Sequence, residues 1–333
     1  MCDLYINDYG VSINREAGRI KVSIKGEEKS SIPLETLDSI TVTGETSVTS
    51  AVIRECLNRG IGFSCLSSSG TFLGMLTSIK HNSTNLQRLQ CKLYDTQYAL
   101  NFSKKIVSSK IHNQATLLKR LYARDQEQKI SLIKKFKFFE NKANMCNEIP
   151  KLRGIEGICA RIYFENISLM IKDAFKFNCR NRRPPKDPFN AMISFGYSLL
   201  FNMILKKVTD SGLNPYFGFY HRDKEGHAAL ISDLMEEWRP YLVDALVLKM
   251  INLNEVNADE FEGANSSYIK MKTSLLKKFI AAFNERLLHE ASFFESTENK
   301  KSAFDAICFQ IKNLIDSMKQ ENSEFYKKVV WSR

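Results

Sequence analysis

In the stretch HRDKEGHAALISDLMEEWRP, residues 221–240, one turn-and-helix junction gathers His221, Asp233, Glu236 and Glu237. Imidazole and carboxylate are the side chains that hold a divalent metal when thiolates are not used. A helix is expected from about His227, with Leu230, Ile231, Leu234, Met235 and Trp238 as its buried stripe. Asp233 lies three residues before Glu236 and four before Glu237, so the carboxylates share part of one face. Each such like-charged pair costs roughly 0.2–0.5 kcal/mol on an isolated helix, a cost a cation would offset. A solvated acidic turn is the alternative. His221 ends the apolar run GLNPYFGFYH, and the short turn RDKEG can fold it back against the first turns of the acidic helix.

A third ligand is sought elsewhere, and Glu156 in GIEGICARIYF is the candidate. Gly154, Gly157 and Ala160 flank it, which suggests a packed site that other backbone approaches closely. A Glu/His/Glu set of oxygen and nitrogen donors suits Mg²⁺ or Mn²⁺ holding water and phosphate oxygens. Such an ion polarises phosphate and activates a bound water or hydroxyl. Structural zinc is disfavoured without thiolates. The loop NCRNRRPPKDP brings Arg180, Arg182 and Arg183 next to a helix expected to start at Asp187 and Pro188, an arrangement suited to phosphate. An ordinary solvated basic loop is the alternative. No G-x-x-x-x-G-K-[ST], no G-x-G-x-x-G after a strand and no G-x-S-x-G occurs, which removes support for ATP hydrolysis, dinucleotide binding and serine hydrolysis.

The elements that must position these residues change character near residue 83. Before it, LYIND, RIKVSIK, DSITVTG, GIGFSCL and TFLGMLT read as short strands, interrupted by one helix in TSVTSAVIRECLNRG. After it, the apolar period is 3.6 and roughly eight helices are expected. The fold class is α+β: a small, mainly-β N-terminal domain with one helix, residues 1–82, then a larger all-α catalytic domain, residues 83–333.

Charge divides the chain in the same way. The net charge is +11, yet residues 1–80 carry eight Lys/Arg against nine Asp/Glu, so the remainder carries +12. A basic excess of this size favours a polyanion, nucleic acid before an anionic membrane surface. No basic amphipathic helix has an aromatic insertion face, and no apolar run approaches the ~20 residues of a spanning helix. The eight cysteines are scattered without a C-x-x-C pair, a pattern of free thiols in a reducing compartment. No signal peptide is visible, and a cytoplasmic protein is expected.

Three stretches in order, EGICARIYF, RRPPKDPFNAMISFGYSLL and GLNPYFGFYH…DLMEEWRP, resemble the CRISPR-associated integrase of spacer acquisition, the CRISPR-associated protein one family. The resemblance covers nearly the whole chain. It implies a β domain followed by a helical catalytic domain, with Glu156, His221 and Glu236 as metal ligands and catalytic residues and Asp233 in support. It also implies an endonuclease and integrase in which the 3′-hydroxyl of a short DNA fragment attacks a phosphodiester at the edge of a repeat. The implied partners are double-stranded DNA, a second copy joined through the β domain, and a small ferredoxin-like adaptation protein completing a heterohexamer. No membrane partner is implied. Lys134, Lys135 and Lys137, together with Arg180, Arg182 and Arg183, are the expected phosphate contacts. Two positions depart from many relatives: His227 stands where they carry arginine, and Phe201 where they carry tyrosine. A nuclease that only hydrolyses, and a non-catalytic nucleic-acid binder, are the competing readings.

Overall fold

The computed structural model describes residues 2–67, 72–78, 83–181, 184–222, 225–263, 269–294 and 300–331. The chain divides into two compact units, Met1–Asn82 and Ser83–Arg333.

In the first unit, β1 (Cys2–Ile6), β5 (Leu37–Thr43), β7 (Gly62–Leu66) and β8 (Phe72–Leu76) form one sheet in the order β1-β5-β7-β8. A second sheet runs β4-β3-β2-β6, from β2 (Val11–Glu16), β3 (Arg19–Ile24), β4 (Glu27–Pro33) and β6 (Thr46–Val48). The one α-helix among the unit's described residues, α1 (Ser50–Arg59), ends where Gly60 takes φ 70°, the left-handed geometry that lets the last carbonyls be capped. Alternate residues Val11 and Ile13 on β2 and Ile20 and Val22 on β3 are buried with Ile40, Val42, Val52 and Phe63, as a period of two requires. Two-residue turns join β2 to β3 and β3 to β4. Both turns carry positive φ at each position, Ala17–Gly18 and Lys25–Gly26, matching the twist of tight hairpins.

The second unit is helical. It contains α2 (Thr84–Leu93), α3 (Gln97–Leu121), α4 (Gln126–Asn144), α5 (Ile149–Met170), α6 (Pro188–Asp210), α7 (Ala229–Glu236), α8 (Ala245–Asn252), α9 (Thr273–Leu288) and α10 (Ala303–Lys319). Two minimal ladders accompany them, β9 (Phe261–Glu262) with β10 (Lys270–Met271) and β11 (Glu290–Ala291) with β12 (Lys301–Ser302). Among them α6 is, by length and composition, apolar enough to cross a membrane, contrary to the expectation that no such run exists. More than half of its apolar window is covered by the protein itself, so it serves as a core helix. The short α7 is buried along all eight of its residues. Leu230, Ile231, Leu234, Met235 and the following Trp238 are among the most buried side chains of the chain. At roughly 1.5–3 kcal/mol for each large apolar side chain, their burial offsets the cost of placing polar groups beside them. Between α7 and α8, residues Arg239–Asp244 form a turn of π-helix, a widening of the kind frequent at functional sites.

Candidate active site

The acidic cluster of α7 is not a solvated turn: Asp233, Glu236 and Glu237 are all buried. Each carboxylate has a separate set of partners.

Asp233 organises the segment that carries His221. Its Oδ2 accepts the backbone N–H groups of Phe219 (2.6 Å) and Tyr220 (3.0 Å), and its Oδ1 accepts that of His221 (2.9 Å). The same Oδ1 lies 2.9 Å from His221 Nδ1. A proton on Nδ1 therefore leaves Nε2 with its lone pair, 3.8 Å from Glu236 Oε1. The segment is pinned from α2 and α5 as well. Gln90 Nε2 donates to the carbonyls of Asn214 (3.0 Å) and Phe217 (3.2 Å), and Arg153 donates to that of Tyr220 (3.0 Å). Gly218 is required where the segment crosses α7, because a Cβ there would stand 2.6 Å from the carbonyl carbon of Ala229.

Glu236 meets Lys110 and Arg239. Lys110 projects from α3, at i+4 from Ile106 and i+3 from Val107, on the buried face of that helix. Its ammonium pairs with Glu156 of α5 and lies 2.6 Å from Glu236 Oε2. At that distance the Lys110 ammonium is the charged partner of the buried Glu236 Oε2. Arg239 Nη1 lies 2.9 Å from Glu236 Oε1. Burial alone would raise the Glu236 carboxyl, but Arg239, Lys110 and His221 hold it down at about 2. Burial likewise pulls down the Lys110 ammonium, yet Glu156 and Glu236 leave it raised and therefore charged.

Arg239 is itself fixed. Its guanidinium lies over the Tyr197 ring at 4.7 Å, and the Tyr197 and Tyr163 hydroxyls each donate to Asp244 at 2.7 Å. Burial pushes the Asp244 carboxyl up to about 6, despite those two donors. The π-helical turn thus places Arg239 toward Glu236 and Asp244 toward the tyrosines of α5 and α6.

Glu237 faces away from this pair. It accepts from Val329 N–H (2.8 Å), Gln310 Nε2 (2.6 Å) and the Tyr326 hydroxyl, and burial pushes its carboxyl up to about 7. Asn113, one turn beyond Lys110 on α3, donates to the Glu237 carbonyl (2.8 Å) and accepts the Trp331 N–H (2.8 Å).

Of the expected residues, Glu156 and Glu236 share the Lys110 ammonium, and His221 Nε2 lies 3.8 Å from the other oxygen of Glu236. Among the described residues no three His, Cys, Asp or Glu side chains close into a ready metal cage. The donor chemistry nonetheless suits a divalent ion: two carboxylates already share a monovalent cation, and an oriented imidazole faces one of them. Thiolate does not join them, since burial pushes the Cys159 thiol up to about 12. The small neighbours of Glu156 do not mark the close packing expected of them. A Cβ on Gly154 or Gly157 would meet nothing within 4 Å, so these glycines face open space rather than packed backbone.

The expected phosphate contacts fare unevenly. Lys134, Lys135 and Lys137 are exposed on α4. Arg180 is built into the start of α6, donating to Asn190 Oδ1 (2.6 Å) and Ser194 Oγ (3.2 Å). That helix start already has its own anion, because Asp187 Oδ1 caps the Asn190 N–H at 2.7 Å. Arg182 and Arg183 lie outside the described residues. His227 Nε2 is 2.8 Å from Ser232 Oγ, and its ring stands edge-on to His221; Phe201 is half-buried on α6. Lys110, Arg239 and Asp244 are not among the residues expected from sequence. The available signal was a lysine on the apolar stripe of a helix and an arginine three residues after Glu236.

A β-rich unit followed by a helical unit, in which carboxylates of α5 and α7 share a lysine of α3 and a histidine faces one of them, defines a class of two-unit proteins with a polar centre in the helical part. The family model for CRISPR associated protein Cas1 matches residues 4–285, and the chain belongs to that family. A relative from Mycobacterium tuberculosis, named CRISPR-associated endonuclease Cas1, is 32% identical over 95% of this chain and 93% of its own. Two solved structures share the fold. One is a Cas6-RT-Cas1--Cas2 complex, 24% identical with a TM-score of 0.86, matched over 100% of this chain and 36% of that one. The other is a casposase bound to integration product, 21% identical with a TM-score of 0.84, over 97% of this chain and 92% of that one.

Proposed function

We propose that the chain is a metal-dependent DNA nuclease and integrase of CRISPR adaptation, in which Glu156, His221 and Glu236 hold Mg²⁺ or Mn²⁺. The observation that carries this reading is that Glu156 and Glu236 share one buried cation while His221 Nε2 faces Glu236 at 3.8 Å. Membership of the Cas1 family and relatives named endonucleases support it. A divalent ion held there supplies polarisation of a phosphodiester and activation of the attacking hydroxyl or water. The chain's own residues prepare the place. Asp233 fixes the ring of His221 so that Nε2 faces Glu236, and Arg239 keeps Glu236 ionised. A Cβ on Gly154 or Gly157 would meet nothing within 4 Å, and this reading puts the double-stranded DNA on that open side of α5. Exchange of one phosphodiester for another needs no ATP, consistent with a chain lacking a Gly-rich phosphate loop.

In this reading the protein works in the cytoplasm as a homodimer joined through its β unit, with a small ferredoxin-like protein completing a heterohexamer. One fold neighbour is titled a complex with Cas2, which supports such a partner. The exposed Lys134, Lys135 and Lys137, with Arg180, Arg182 and Arg183, are assigned to DNA phosphates.

The test uses a supercoiled plasmid bearing a repeat, a labelled duplex fragment with free 3′-hydroxyls, the small partner and Mn²⁺ or Mg²⁺. Label should enter the plasmid with the wild type and not with His221→Ala or Glu156→Ala. Plasmid degradation without joining would reduce the assignment to a hydrolytic nuclease. Equal behaviour of wild type and variants would remove these residues from any active site.

A further inference from the structure

The cation at the centre of the site is a side chain of the protein, and that has a consequence for how the metal enters. We propose that Lys110 is the resident counter-ion of Glu156 and Glu236, and that loading exchanges its ammonium for the divalent ion, so that Lys110 sets how tightly Mg²⁺ or Mn²⁺ binds. The inference deepens the metal-site reading and rests on it.

Occupancy comes first. The Lys110 ammonium pairs with Glu156 and lies 2.6 Å from Glu236 Oε2, and Arg239 Nη1 lies 2.9 Å from Glu236 Oε1. A divalent ion bound by both carboxylates needs the oxygens that these cations now face, and cations crowded onto the same oxygens repel each other where little water screens them. One of the resident cations therefore withdraws.

Geometry decides which. Arg239 is held on both sides, by the Tyr197 face at 4.7 Å and by Glu236 at 2.9 Å. Lys110 reaches the site on a flexible four-carbon stem that ends in a point charge with rotatable donors. Its ammonium bridges the carboxylates that would become ligands, whereas Arg239 touches only one of them. Glu236 Oε2, buried and 2.6 Å from the Lys110 ammonium, is the oxygen an incoming divalent ion would take over.

The measurement is Mn²⁺ binding to the full chain without DNA, by calorimetry and by the paramagnetic resonance of free Mn²⁺, at constant ionic strength. Lys110→Met should bind Mn²⁺ at least tenfold more tightly than wild type. Mn²⁺ should also raise its thermal midpoint by more than that of wild type, because the vacated carboxylates repel each other until the ion arrives. Lys110→Gln, which keeps a donor but not the charge, carries the same expectation and serves if the methionine variant does not fold. Unchanged or weaker binding in both variants, with wild-type binding still lost in Glu156→Ala, overturns the exchange and leaves the metal site standing. Mn²⁺ binding indifferent to Glu156→Ala in wild type and in the Lys110 variants overturns the metal site, and the exchange with it.

Discussion

One carboxylate oxygen governs both the backbone and the ring of His221: Asp233 Oδ1 accepts the His221 N–H at 2.9 Å and lies 2.9 Å from its Nδ1. The companion oxygen holds the two preceding N–H groups. Asp233 is thus a positioning residue. Asp233→Ala strands three backbone donors, each worth about 1–3 kcal/mol when buried and unmade, and the variant should lose at least ~3 kcal/mol in denaturant unfolding. Asp233→Asn keeps an acceptor but loses the charged partner of the ring, a change that typically costs about 10–100-fold at a metal-held histidine. Wild-type DNA joining by Asp233→Asn would remove the positioning role.

Two glycine-to-alanine changes should have opposite signs. Gly218→Ala drives a Cβ to 2.6 Å from the Ala229 carbonyl carbon and 2.8 Å from Leu230 N, and backbone cannot swing aside as a side-chain tip can. Overpacking of this kind costs about 1–3 kcal/mol, and His221, three residues on, should lose activity with it. Gly157→Ala meets nothing within 4 Å inside α5 and should gain roughly 0.5–1 kcal/mol from helix propensity. Chemical denaturation of both variants is the check.

Asp244 gives a pH dependence whose sign follows from burial. Its folded carboxyl is raised to about 6, whereas an unfolded aspartate titrates near ~3.9. The folded chain therefore binds this proton more tightly. The associated stability is fully present below the unfolded value and is lost as pH rises through about 6. In Asp244→Asn that contribution is absent. The stability of wild type minus variant should fall by roughly 1–3 kcal/mol between pH 4 and pH 7. A difference that is flat, or that grows with pH, would contradict the burial argument.

The exposed lysines of α4 should act through counter-ions. If Lys134, Lys135 and Lys137 each meet a phosphate, replacing all three with alanine flattens the slope of log K against log salt by up to ~3, at about 0.9 for each phosphate left unneutralised. DNA-binding titrations between low and moderate salt read this directly. An unchanged slope places the DNA elsewhere.

Much of the fold is legible because its periodicities are clean. The strands written LYIND, RIKVSIK, DSITVTG, GIGFSCL and TFLGMLT correspond to β1, β3, β5, β7 and β8. Three strands of that unit escaped: β4, EEKSSIP, buries none of its side chains fully, β6 is only three residues long, and β2, VSINRE, alternates over its first three residues only before turning fully exposed. At the site, residue type and spacing nominate Glu156, His221, Asp233 and Glu236, and the structure gathers them. Their burial was not legible, because three carboxylates within five residues read as surface until Lys110, Arg239 and Gln310 arrive from elsewhere in the chain. Lys110 is 126 residues from Glu236 in sequence, and no local pattern joins them. The π-helical turn after Glu236 was equally hidden, since Arg-Pro-Tyr-Leu-Val-Asp has an apolar pattern that ordinary helix also accommodates.

The anchoring of Asn113 and Glu237 by the last described residues gives the protein a sense of time. Asn113 belongs to the helix that carries Lys110, yet the N–H it accepts comes from Trp331, 218 residues later, and Glu237 waits for Val329 in the same way. A chain still leaving the ribosome can form α3, α5 and α7, but the floor beneath their polar centre is laid only when residues 326–331 emerge. The polar centre is therefore completed only by hydrogen bonds from a segment made 92 residues after Glu237. On the proposed reading, chains released before Ser323 should neither bind Mn²⁺ nor nick a plasmid.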